Sequence, residues 1–73
     1  MTLEEEIEAE LARLPARLQP LLVPAVQSAV RNGPGTASFN ETLELLRTEK
    51  SNATDRVIKQ QIQSLIDLLE SAS

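Results

Sequence analysis

Val57-Ile58-Lys59-Gln60-Gln61-Ile62-Gln63-Ser64-Leu65-Ile66-Asp67-Leu68-Leu69 is the stretch on which the fold turns. Ile58, Ile62, Leu65 and Leu69 recur at spacings of four, three and four, and Val57, Ile66 and Leu68 widen that line into a stripe. Asp55, Arg56, Lys59, Gln60, Gln63, Asp67 and Glu70 fall mostly on the other side. Only a helix gathers residues at those spacings on one face. A face so apolar must be covered, either by other segments of the chain or by a second molecule.

The segments upstream read as candidate covers. Ser51 to Ala53 interrupts the apolar register just before the stretch, and Asn52 or Thr54 can cap the helix that follows. Ser38-Phe39-Asn40-Glu41 has capping-box spacing and opens a helix carrying Phe39, Leu43, Leu45 and Leu46. The alternative at this point is one unbroken helix from Phe39 to Leu69, whose stripe would shift midway. Asn32-Gly33-Pro34-Gly35 is the clearest boundary: Asn and Gly accept the conformation that ends a helix, and Pro34 prevents its resumption.

Before that boundary, Leu18, Leu22, Ala25, Val26, Ala29 and Val30 keep a helical period across Pro20 and Pro24. Thr2 and Glu5 have capping-box spacing too, and Leu3, Ile7, Leu11 and Leu14 share a face. Glu4, Glu5, Glu6, Glu8 and Glu10 precede Arg13 and Arg17, the order that suits a helix dipole. A proline inside a helix costs about 3 kcal/mol. The spacing of Pro15, Pro20 and Pro24 therefore predicts two helices joined by a tight corner, one long kinked helix from Leu3 to Arg31 being the alternative.

Seventy-three residues allow one domain at most, 1–73, with stability marginal unless the packing is good or the chain self-associates. No cysteine or histidine is present, so neither a disulfide nor a structural zinc site can help. Apolar residues make up 41% of the chain, too many for a disordered tail, and Leu and Ala dominate where a sheet would be rich in β-branched and aromatic residues. The net charge of −4 works against phosphate backbones and anionic lipid as partners. Leu18 to Val30 carries no charge, but thirteen positions fall short of the roughly twenty that span a bilayer. Met-Thr-Leu-Glu-Glu-Glu lacks the basic and then apolar run of a signal peptide, which points to a cytoplasmic protein. Without such a signal, Asn40-Glu41-Thr42 and Asn52-Ala53-Thr54 read as chance matches to the glycosylation pattern.

Catalysis calls for a proton shuttle, an activated nucleophile, a metal or a cofactor. Ser28, Ser38 and Ser51 have no base in sequence reach, and Gly33 and Gly35 lack the lysine and hydroxyl of a phosphate-binding loop. The glutamates of the first segment lie on a predicted helix rather than in a turning calcium loop. The chain therefore reads as a non-enzyme with no cofactor, metal or small-molecule substrate.

The expectation is an all-α fold, a small bundle of four short helices: Leu3 to Leu14, Leu21 to Arg31, Phe39 to Glu49 and Ala53 to Ser71 (three helices if the prolines only kink the first). Its function reads as binding another protein through apolar helix faces, as a small adaptor or an oligomerising regulator. Ile58, Ile62, Leu65, Ile66 and Leu69 are the expected interface, and a homodimer would centre on Leu65 and Leu69. The alternative is a nucleic-acid-binding or transcriptional regulator using Arg47, Lys50, Arg56 and Lys59, which bracket the turn at residues 47–59. Glu49 and Asp55 reduce that local charge, and no aromatic residue is available to stack on single strands except Phe39.

Overall fold

Three of the four helices start where a side chain takes over an orphan backbone donor, and the other opens on a proline with no side-chain cap. The computed structural model describes residues 2–72, and among these it has α1 (Leu3–Arg13), α2 (Gln19–Asn32), α3 (Ala37–Asn52) and α4 (Arg56–Ala72), with no strand. Thr2 caps α1: its hydroxyl accepts from the Glu5 amide at 3.3 Å, one half of the capping box expected there, while the Glu5 carboxylate accepts from the same hydroxyl at 3.2 Å instead of from the Thr2 amide.

Leu14 ends α1 with extended backbone (ψ 148°), as a residue before proline must. The Pro15 carbonyl then accepts from the amides of Leu18 (2.9 Å) and Gln19 (3.2 Å), and the Gln19 side-chain amide donates to the Leu14 carbonyl at 2.9 Å. The segment is a corner between two helices, so the single kinked helix is excluded. Pro20 falls in the first turn of α2, where its missing amide leaves no bond unmade. α2 begins at Gln19 rather than Leu21, which takes Pro24 out of the first turn and into the helix interior. Pro24 forgoes only the bond to residue 20, and both prolines are exposed, so water reaches the freed carbonyl.

The α2–α3 turn needs glycine at two positions, Gly33 (φ 88°) and Gly35 (φ 84°). Thr36, rather than Ser38, caps α3. Its hydroxyl accepts from the Phe39 amide at 3.3 Å and donates to the Gly33 carbonyl at 2.8 Å. Extended backbone at Thr36, immediately after Gly35, is what places the cap two residues earlier than the capping-box pattern suggested. Ser38 turns toward α2 instead, with its hydroxyl 3.4 Å from that of Ser28. α3 continues past Glu49 to Asn52, because the polar run Arg47 to Asn52 is the wet end of the same helix. Ala53 to Asp55 break the chain, which excludes one helix from Phe39 to Leu69. Asp55 caps α4, its carboxylate accepting from the Val57 amide at 2.8 Å and its carbonyl from Lys59 at 3.0 Å. Asn52 cannot do so, since it still belongs to α3.

The helices form a ring in which α1 packs on α2 and α4, and α3 on α2 and α4. Residues from the start of α1, the end of α2, the start of α3 and the end of α4 line one groove, so neighbouring helices are antiparallel. The bundle thus has a terminal end, holding Thr2, Ala72 and the α2–α3 turn, and a corner end, holding residues 14–18 and 53–55. Its core is Ile7, Leu11 and Leu14 from α1, Leu22, Val26 and Ala29 from α2, Phe39 and Leu46 from α3, and Ile62, Leu65, Ile66 and Leu69 from α4. Thr42 is the buried polar side chain among them, and its hydroxyl donates to the Ala25 carbonyl at 3.1 Å, so no orphan is left there.

Candidate interaction surface

α4 uses its apolar stripe inside the chain. Ile62, Leu65, Ile66 and Leu69 are buried in the core, and Ile58 is half-buried against it. Within the folded bundle Ile62, Leu65 and Leu69 present no surface and Ile66 only a sliver in the α3–α4 groove, so a second molecule would meet this stripe chiefly if the helices parted. Leu68 is half-buried on the flank of the stripe. Val57, which the periodicity assigned to the same stripe, lies outside it and is 60% exposed.

The exposure of Val57 follows from unequal helix lengths. At 1.5 Å per residue the 17 residues of α4 span about 26 Å and the 11 of α1 about 16 Å. Arg13, the last residue of α1, lines a groove with Ser64, Asp67 and Leu68. The two turns of α4 before Ser64 therefore run beyond α1; in them Ile58 is half-buried against the core and Val57 is exposed. Leu21 is the other large apolar side chain left exposed, at 46%. It follows Pro20 in the first turn of α2, about 100° around the helix from the buried Leu22. Sequence reading missed both positions as surface, although the interval between Arg13 and Pro15 already limited how far α1 could reach.

A groove between α3 and α4 is lined by Arg47, Lys50, Ser51, Lys59, Gln63, Ile66 and Glu70. The fold thus brings together three of the four basic residues that flank the 53–55 link, and leaves Arg56 outside the groove on the exposed first turn of α4. Arg47 donates to Glu70 at 2.9 Å, Lys50 donates to the Gln63 side-chain oxygen, and the Gln63 amide donates to Asp67 at 2.8 Å. The side chains of Arg56 and Lys59 make no hydrogen bond or ion pair with other described residues. The Arg47–Glu70 pair is exposed on both sides, so water and salt screen it and it adds little to stability.

At the terminal end, Glu4, Glu5 and Glu8 share a groove with Gln27, Val30 and Arg31, and the Gln27 amide donates to Glu8 at 3.4 Å. Among the described residues no group of three or more carboxylates converges on a point where a metal ion would sit. No helix among them is long and apolar enough to cross a membrane. Chemically the surface offers cations, a few exposed apolar side chains and solvated carboxylates, which is the equipment of recognition.

Compared with family models, curated proteins and solved structures, the chain matches none.

Proposed function

We propose that the chain is a non-catalytic protein-interaction module working in the cytoplasm, as a small adaptor or an oligomerising regulator, and that its partner is another protein. The observation that carries this reading is Val57, a large apolar side chain left 60% exposed on a helix whose other apolar residues are covered. Leu21 supports it. Isolated apolar residues on a surface are ordinary. Here, though, the exposed turn of α4 results from α1 ending early rather than from scatter, and a partner helix packing there would continue the ring of helices past the end of α1.

A photo-crosslinking residue placed at position 57 in the cells that make the protein tests the reading. We expect a discrete adduct from position 57 and none from position 5, on the exposed acidic face of α1. Equal adducts from both positions, or none from either, would remove the proposal.

One observation favours a second reading, a nucleic-acid-binding regulator: Arg47, Lys50 and Lys59 line a single groove. Glu70 lies in that groove and holds Arg47, and the chain's one aromatic side chain, Phe39, is buried and cannot stack on bases. The protein-binding reading therefore takes precedence.

A further inference from the structure

The charges of the folded chain are sorted by end. α1 runs acid first and base last, the order its dipole favours, with its glutamates before Arg13; α3 does so less cleanly, Glu41 and Glu44 preceding Arg47 and Lys50 while Glu49 stands between those two cations. α4 runs the other way. Arg56 and Lys59 stand in its opening turn, at the positive end of the dipole, while Asp67 and Glu70 stand near its close. That order is unfavourable for the helix itself. Because α4 lies antiparallel to α1 and α3, the reversal sets its cations beside theirs instead of beside their acids.

Every lysine and arginine except Arg31 consequently lies toward the corner end. Acids there are few, and two are already engaged: Glu10 with Arg13 at 3.2 Å, and Asp55 with the Val57 amide. Leu21 and Val57 open α2 and α4 at this same end. The exposed apolar side chains and the excess of cations therefore coincide, on elements that come from four separate parts of the chain.

We infer that the corner end is the docking surface and that it takes an acidic, apolar-anchored segment of another protein, an acidic amphipathic helix in its simplest form. Apolar side chains of the partner cover Val57 and Leu21, and its carboxylates meet Arg56, Lys59 and the cations of the α3–α4 groove. Charge of this kind sets partner choice and association rate more than affinity. A phosphodiester chain would satisfy the cations but has nothing to place against Val57 and Leu21. The inference rests on the interaction-module reading and adds to it the place and the charge of the partner.

The test is fluorescence anisotropy on the full chain with three probes of about 16 units each, long enough to lie across the end of a bundle 30 × 26 × 20 Å in extent. One is a peptide with Leu on one helical face and Glu on the other, the second has Gln in place of Glu, and the third is an oligothymidylate. Vesicles of phosphatidylserine and phosphatidylcholine, followed by co-sedimentation, supply a membrane arm. The acidic peptide is expected to bind, and more weakly as salt rises. Arg56→Glu with Lys59→Glu is expected to weaken it about tenfold or more. That double variant restores the charge order α4's dipole prefers, so lost binding cannot be laid to a lost fold, and circular dichroism checks this. Val57→Ser is expected to weaken binding several-fold, and Glu5→Lys, at the far end, to leave it unchanged. Equal binding of the Gln peptide overturns the acidic partner and leaves the module reading standing. Tighter binding of the oligonucleotide or the vesicles, lost in the double variant, overturns both. Failure of every probe at millimolar protein overturns the inference, and the crosslink at position 57 then judges the module reading alone.

Discussion

Leu65→Ala separates a stripe buried in one chain from a stripe shared between two. Leu65 is fully buried in the single chain, near the middle of α4. Truncating a buried leucine costs about 2–5 kcal/mol, the spread depending on how far the neighbours collapse into the space. Leu65 sits in the tightest part of a closed ring of helices, so about 3 kcal/mol is the expectation. A chain this size is stable by roughly 4–11 kcal/mol, so the variant still folds but loses a large share of its margin. With a urea dependence of about 1 kcal/mol/M, the unfolding midpoint should fall by about 3 M. Val57→Ala on the same helix should change stability by no more than about 0.5 kcal/mol, since it removes little buried area. Urea melts read by circular dichroism, run at two protein concentrations a hundredfold apart, provide the check. With the Leu65 face buried within one chain, Leu65→Ala should lower the midpoint by the same amount at both concentrations. A dimer sharing the Leu65 face would instead lose about 1.4 kcal/mol for each tenfold dilution. That dependence, or a Leu65→Ala loss under about 1 kcal/mol, refutes the packing described above.

Three further substitutions probe what sets the helix ends. Gly33→Ala should destabilise by about 1–3 kcal/mol in thermal or urea unfolding, since φ 88° with ψ 168° is a region other residues rarely enter. Nothing lies within 4 Å of the added methyl, so the loss is backbone strain, and Gly33→Ala and Gly33→Ser should cost alike. Thr36→Ala should cost about 1–2 kcal/mol by removing both the cap on Phe39 and the bond to Gly33, whereas Ser38→Ala should cost less than half of that. Arg56→Glu should raise stability by about 0.3–1 kcal/mol at low salt, with the gain shrinking at high salt, because it puts a negative charge at the start of α4.

The fold class and the order of helices are legible in the residues because α4's apolar spacing and the Asn32-Gly33-Pro34-Gly35 stop are local signals. Helix ends are less so. Ser38 with Glu41 makes the stronger capping-box pattern, yet Thr36 wins because Gly35 delivers the chain to it in extended conformation. Four residues able to cap lie between Ser51 and Asp55, and nothing local shows that α3 would extend through Asn52 and leave the task to Asp55. Val57 stands in one column with Gln61 and Ser64, about 100° from Ile58, so the pattern of α4 itself puts it on the flank; how far that flank is covered depends on where α1 stops beside α4. Arg47, Lys50 and Lys59 were legible as neighbours across a turn; Arg56 shares their face at i,i+3 from Lys59, but as the first residue of α4 it stands beyond the end of the groove.

The same dependence on packing governs what a partner can see. A strongly amphipathic helix invites the inference that its apolar face is the interface, and in a short chain that inference collides with the need for a core. Ile62, Leu65, Ile66 and Leu69 close the bundle, and with so few residues there is no spare layer to replace them. On the proposed reading, recognition falls to what the core does not require: the turn of α4 that outruns α1, and the charges that stability does not ask for. Arg56 and Lys59 belong to the second kind, since they sit at the end of the dipole that repels them. A local rule broken without a folding benefit points to selection for something other than folding, and the place where it is broken is where Val57 stands exposed.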